Sequence, residues 1–296
     1  MNKLQIRNSF ILFIAAFIWG TAFVAQSIGM DFIGPFTFSA ARSFIGSAFL
    51  VPCIWILGKW QKVNEAETEK EDQTELLKGG IVCGTVLCIA CNLQQIALLY
   101  ASVGKSGFLT ALYIVIVPIL GIFAGKKPGK KLCVAVIFAV VGLYLLCMKS
   151  GDFAFGPGDI LLLFCAFMFS LHIMVVDHFT QNVSGMKLSC LQFLVCGIFS
   201  SVAMLLFEQP SISALCTAWA PLLYTGVLSS GVAYTFQIIG QKGMNPVVAS
   251  LIMSLESVIS ALAGWVVLGQ ILSSRELAGC IVMFAAIILA QLPEKR

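Results

Sequence analysis

The sequence predicts an all-α integral membrane protein of ten transmembrane helices, arranged as two inverted five-helix repeats with the N- and C-termini cytoplasmic. Three observations predict it. The 296 residues are 59% hydrophobic and 11% charged, with a mean hydropathy of +0.97. Charged residues make up about a quarter of an ordinary soluble chain, and no soluble domain of this length hides so much apolar surface. Apolar windows of about 20 residues, the length that crosses a hydrocarbon core of about 30 Å, recur along the whole chain. Finally, Lys and Arg fall unevenly on alternate sides of those windows.

The windows lie near 8–28, 34–57, 77–99, 104–124, 132–149, 158–178, 187–207, 216–237, 245–268 and 276–292. The first follows Lys3 and Arg7 as a signal peptide would. It is longer than an h-region and has no clear A-x-A site, so it reads as a mature helix. Residues 58–78 (GKWQKVNEAETEKEDQTELLK) form the long connector, charged, solvated and partly helical in expectation.

With the N-terminus inside, the inner loops hold fourteen cations: Lys3, Arg7, Lys59, Lys62, Lys70, Lys78, Lys126, Lys127, Lys130, Lys131, Lys187, Lys242, Lys295 and Arg296. The outer loops hold Lys105, Lys149 and Arg275, and Arg42 falls inside a span. This bias fixes the expected orientation and supports the helix count, because one span more or fewer would mix the two sets. The net charge of +4 therefore says nothing of nucleic acid; the basic residues are topology determinants facing a lipid bilayer.

Two units are expected, 1–149 and 150–296. An ungapped offset of 139 lays YASVGKSGFLTALYIVIVPIL (100–120) on IGQKGMNPVVASLIMSLESVI (239–259), pairing Gly104 with Gly243 and Leu112 with Leu251. Both stretches are the fourth span of a five-span half. An odd number of spans turns the second copy upside down, a build common among secondary transporters, with the substrate site near the midplane.

Three runs carry a family resemblance: WGTAFVAQS (19–27), AARSFIGSAFL (40–50) and SLESVISALAGWVVLGQ (254–270). They resemble the EamA-type branch of the drug/metabolite transporter superfamily over nearly the whole chain. The resemblance implies ten helices as five plus five and movement of small metabolites without ATP. It also implies an acid followed by proline in the fourth helix of a repeat. Here the pair is split, with Glu256 before Ser257 in one half and Val117 before Pro118 in the other.

Polar residues inside apolar spans mark candidate sites. Glu256 lies about eleven residues, or about 16 Å, into its span. It reads either as a proton-titrating, substrate-facing carboxylate or as half of a fixed ion pair. Arg42 lies about 12 Å below the outer end of the second span, and its backbone is about 6 Å in depth from that of Glu256. An Arg42–Glu256 pair is the expectation. Ser230, Tyr234, Gln237 and Gln241 share one face of a regular α-helix, and Cys91, Gln95, Leu98 and Ser102 take the matching positions in the third span, near Asn92 and Gln94. Such stripes face a cavity or another helix rather than lipid. Trp19, Phe23 and Gln26 share a face, as do Thr110 and Tyr113. The candidate translocation path is therefore Glu256, Arg42, Gln95, Tyr113, Tyr234, Gln237, Trp19 and Gln26. Pro118 and Pro246 are the expected bends.

No catalytic constellation is expected. The two histidines, His172 and His178, share one span. Cys88 and Cys91 form a C-x-x-C within an apolar run without redox or metal context, and the eleven cysteines lie almost all in spans, where Cys acts as a small hydrophobe. The expected function is secondary transport of a small-molecule substrate, in the export direction, at the cell membrane. Proton coupling through Glu256 is expected, with no cofactor, metal or nucleic-acid partner. A passive channel, a structural membrane partner and an intramembrane enzyme are the alternatives.

Overall fold

The computed structural model describes residues 3–64, 72–101, 103–123, 125, 128–148, 155–181, 183–268 and 273–292, with side chains for all of these except 57–64, 103–104 and 263–268. Ser102 and the topology cations Lys70, Lys126, Lys127, Lys149, Lys295 and Arg296 lie outside the described residues. Every regular element among the described residues is helical.

The first half holds α1 (Lys3–Met30), α2 (Pro35–Asn64), α3 (Gln73–Ala97), α4 (Val103–Ala111), α5 (Tyr113–Phe123) and α6 (Lys130–Cys147). The second holds α7 (Pro157–Phe179), α8 (Gly185–Phe207), the short α9 (Ile212–Thr217) and α10 (Trp219–Leu223). A π-helical segment (Tyr224–Ala233) then leads into α11 (Tyr234–Gln241), α12 (Pro246–Met253), α13 (Leu255–Leu268) and α14 (Ser274–Gln291). Nine helical stretches among the described residues are long and apolar enough to cross a membrane, and Pro246–Leu262 is a shorter apolar stretch. The chain is thus a multi-pass membrane protein.

Two spans are interrupted, at Leu112 between α4 and α5 and at Ser254 between α12 and α13. At the second, the Ser250 and Ser254 hydroxyls donate to carbonyls three residues back, Val247 O (2.8 Å) and Leu251 O (2.7 Å). Such back-bonding competes with the helical ladder and bends it. The prolines do something else. Pro246 opens α12 behind the N-cap Asn245, whose side chain accepts from the Val247 N–H at 2.9 Å. A missing N–H is harmless at that position. Pro118 lies within α5 without ending it. The breaks in the two helices therefore fall at Leu112 and Ser254, six residues before Pro118 and eight after Pro246.

α6 packs along α14, α2 along α8, α3 along α7 and α8, and α1 against α11 and α13. At the α6–α14 crossing Gly142 and Gly279 face each other, and a Cβ on either would meet the other's carbonyl oxygen at 3.0 or 2.8 Å. Small residues permit this backbone approach, which drives helix association in lipid.

The start of α2 is closed from the other half of the chain. Glu208, just beyond α8, accepts from the Phe36 and Thr37 N–H groups at 2.8 Å each and from the Thr37 hydroxyl at 2.5 Å. Helix starts leave such N–H groups without intrahelical partners, and a capping carboxylate is worth about 1 kcal/mol. Glu208→Ala is expected to lower the melting temperature in detergent by about 2 °C, with Glu208→Gln intermediate. Unchanged melting of the alanine variant would remove the cap from the account.

Candidate functional site

A cavity of about 510 Å³ lies between the two halves, bordered by α1, α2, α3, α4 and α5 from the first and by α7, the π segment, α11, α12 and α13 from the second. Seven of the eight candidate path residues border it: Trp19, Gln26, Arg42, Tyr113, Tyr234, Gln237 and Glu256.

α1 supplies Trp19, Phe23 and Gln26 from one face, as their spacing requires. The Trp19 ring meets Tyr234 edge-on with centroids 4.7 Å apart, and Phe193 meets the same tyrosine at 5.2 Å. Arg42 of α2 is 4% exposed. Its Nη1 donates to Gln26 Oε1 at 3.1 Å, and its guanidinium carbon lies 5.8 Å from the centre of the Phe38 ring. Glu256, in the first turn of α13, is 7% exposed and accepts from the Tyr113 hydroxyl at 3.3 Å.

The expected Arg42–Glu256 ion pair is not formed. No contact within 4.0 Å joins them, and the ion pairs among the described residues are Lys78–Glu75 and Lys105–Asp159. Depth bookkeeping placed the two residues at similar levels. It carried no information on azimuth, and Gln26 and Tyr113 intervene as nearer partners. Both charges still border one cavity.

Gln95 is fully buried off the cavity, with Nε2 3.5 Å from the Gln26 carbonyl oxygen. Its neighbour Gln94 borders the cavity instead and donates to Thr110 Oγ1 at 3.4 Å. The eighth span shifts similarly. Because Tyr224–Ala233 is π-helical, its turns are wider than 3.6 residues, and a phase computed for an α-helix drifts within it. Ser229 borders the cavity, while Ser230 is packed against Gly46 of α2. Tyr234 and Gln237, in the α-helix that follows, keep the expected face.

Three buried polar atoms on cavity-bordering side chains have no hydrogen-bond partner among the described residues: Trp19 Nε1, Arg42 Nε and Gln237 Oε1. Buried donors and acceptors are seldom left so. Phe169, Ile173 and Met253, which no polar stripe marked, add an apolar wall. His172 stands behind this wall, fully buried, with Nε2 3.0 Å from Gln192 Oε1. Cys88 and Cys91 are engaged separately, Cys88 with Ser200 Oγ (3.5 Å) and Cys91 with the Tyr234 hydroxyl (3.8 Å).

The model of the EamA-like transporter family matches residues 7–148 and again 156–292. An uncharacterized transporter of Archaeoglobus fulgidus is 29% identical over 286 residues, covering 95% of this chain and 84% of that one. Another, the uncharacterized transporter YwfM of Bacillus subtilis, is 24% identical over 306 residues, covering 99% and 97%. A crystal structure with 19% identity superimposes at a TM-score of 0.79 over 96% of both chains, which speaks for the fold alone. With both halves of the chain matched, this protein belongs to the EamA-like transporter family.

Proposed function

We propose that this chain is a secondary transporter of small organic metabolites or drugs, acting by alternating access of two inverted five-helix halves, 1–149 and 150–296. The termini are placed in the cytoplasm, the protein in the cell membrane, and export is the working direction. The observation that carries this reading is the cavity itself. It lies between the halves, takes its border from both, and holds an arginine and a glutamate that are not paired with each other.

The packing supports an internal duplication. Exchanging each span for its counterpart five spans on maps contact onto contact: α2 on α8 and α6 on α14 map onto themselves, while α3 on α7 maps onto α1 with α11 and the π segment. Tyr113–Glu256 and Cys91–Tyr234 both meet across 143 residues of sequence, as equivalent positions do beside an axis relating two copies. A separation of 143 also brings the breaks at Leu112 and Ser254 almost into register, which the ungapped 139 does not. Inverted repeats with the site near the midplane are a recurrent transporter build.

The test uses proteoliposomes holding the purified protein. A compound that stabilises the protein in a thermal-shift screen of metabolites is expected to accumulate against its own gradient when a proton gradient is imposed. Equilibration without accumulation would favour the passive channel, and turnover of the compound would favour an enzyme.

A further inference from the structure

We propose that the cavity takes a small organic monocarboxylate with an apolar tail, and that its binding is linked to uptake of one proton on Glu256. This rests on the transporter reading only for what happens after binding; the site and the linkage are claims about the resting protein.

The recognition argument starts from the atoms without partners. Two of the three, Trp19 Nε1 and Arg42 Nε, are donors on side chains that border the cavity. Trp19 lies edge-on to Tyr234 at 4.7 Å, and Tyr234 is within electrostatic reach of Arg42. A cation with a spare N–H and an indole N–H bordering one cavity can together receive a planar anion. A guanidinium binds carboxylate strongly through such charge-assisted bonds. Arg42 being the single cation on the cavity border among the described residues, a dianion would be left half compensated. The apolar part of the lining, made by Phe23, Phe169, Ile173 and Met253, suits an apolar tail.

The linkage follows from charge balance. Ionised, Arg42 and Glu256 sum to zero in the empty cavity. A monocarboxylate brings a further negative charge into a site where both residues are under a tenth exposed, and an uncompensated buried charge is expensive. Protonating one Glu256 oxygen from the aqueous side restores neutrality. An amine or a zwitterion would impose no such demand. The charged or titratable groups around Glu256 supply no second cation near it. They are Tyr113 of α5, Arg42 of α2 across the cavity, Tyr234 of α11, Cys147 of α6 and Cys165 of α7. α14 brings Glu276 and Cys280 beside Cys147, α4 brings Lys105 already tied to Asp159 at 2.8 Å, and α1 and α12 bring no titratable side chain at that level. The proton travels with the carboxylate, so a carboxylate that builds up on one side leaves with its proton, without moving net charge.

Titration calorimetry on the detergent-purified protein tests both parts, with hydrocinnamate, phenethylamine and phenylalanine as probes that share a phenyl tail. Run in buffers of different ionisation enthalpy, hydrocinnamate is expected to bind with uptake of about one proton, and its affinity should fall by up to about tenfold per unit of rising pH. Glu256→Gln should still bind it, with no proton exchanged, and phenethylamine should bind at least about tenfold more weakly. Tighter binding of phenethylamine or phenylalanine, failure of hydrocinnamate to bind, or binding without proton uptake would each overturn the assignment. Binding and uptake as stated, with no flux of any monocarboxylate through proteoliposomes, would keep the site and sink the transporter reading instead.

Discussion

Arg42→Met is expected to melt above the wild-type protein and to fail as a transporter. The sign of the stability change depends on the missing ion pair. Were Arg42 paired with Glu256, removing it would strand a buried carboxylate and cost about 3–5 kcal/mol. Instead Arg42 is 4% exposed, makes a 3.1 Å bond to Gln26, and keeps a buried Nε without a partner. A methionine of similar reach removes the desolvation of a buried charge with no direct counter-ion, leaves Gln26 to re-pair, and leaves Glu256 to keep the cavity neutral by taking up a proton. A net gain of about 1 kcal/mol, or about 2 °C, is expected once the lost hydrogen bond is counted. Transport of whatever stabilises the wild type should fall roughly 100-fold, the loss that follows when a buried charged contact to a ligand is deleted. Thermal unfolding and flux in the same preparation read both. A variant that melts several degrees low would restore the ion pair; one that transports normally would remove Arg42 from the path. A stability gain with functional loss is the pattern of a residue kept for its site.

What the sequence made legible follows from what kind of signal each feature leaves. Spans leave long apolar windows, so their places were readable to within a few residues. Side-chain faces depend on phase, and phase survives only where the helix stays regular. Trp19, Phe23 and Gln26 lie on the uninterrupted α1 and border the cavity together. Ser230 gave way to Ser229 because ten π-helical residues precede α11, and nothing in YTGVLSSGVA announces a wider turn. Gln94 rather than Gln95 borders the cavity because Asn92, Gln94 and Gln95 put polar groups on different sides of α3, and polarity alone does not say which side faces the cavity. Contacts between distant segments leave no periodic trace at all. The Glu208 cap on α2 spans 171 and 172 residues of sequence and was invisible for that reason. Its one sequence clue is an acid just past an apolar span in a chain with few acids.

The glycine of the first signature run makes a tight packing demand on the backbone that carries Glu256. Gly20 of α1 lies on α13 so closely that a Cβ built there would meet Glu256 O at 2.6 Å, Ile259 Cβ at 2.8 Å and Ile259 Cγ2 at 2.9 Å. The isoleucine can be shortened, whereas the carbonyl belongs to the backbone that aims the Glu256 side chain at the Tyr113 hydroxyl. Gly20→Val is therefore expected to cost about 3 kcal/mol, the upper part of the range for overpacking, and to lower the melting temperature by about 6 °C or more. Adding Ile259→Ala should recover a small part of that loss, because it removes the Cγ2 contact while the Cβ contact at 2.8 Å stays. Transport should not recover with it, since α13 must still move away from α1 and carry Glu256 along. Melting of Gly20→Val within about 1 °C of wild type would show that the two helices do not touch at this point. Full recovery of flux in the double variant would show instead that the carbonyl contact has no part in aiming the carboxylate. The comparison with Arg42→Met separates two ways of losing function at one cavity: the arginine variant loses a charge from a better-packed protein, and the glycine variant loses the wall that positions the acid.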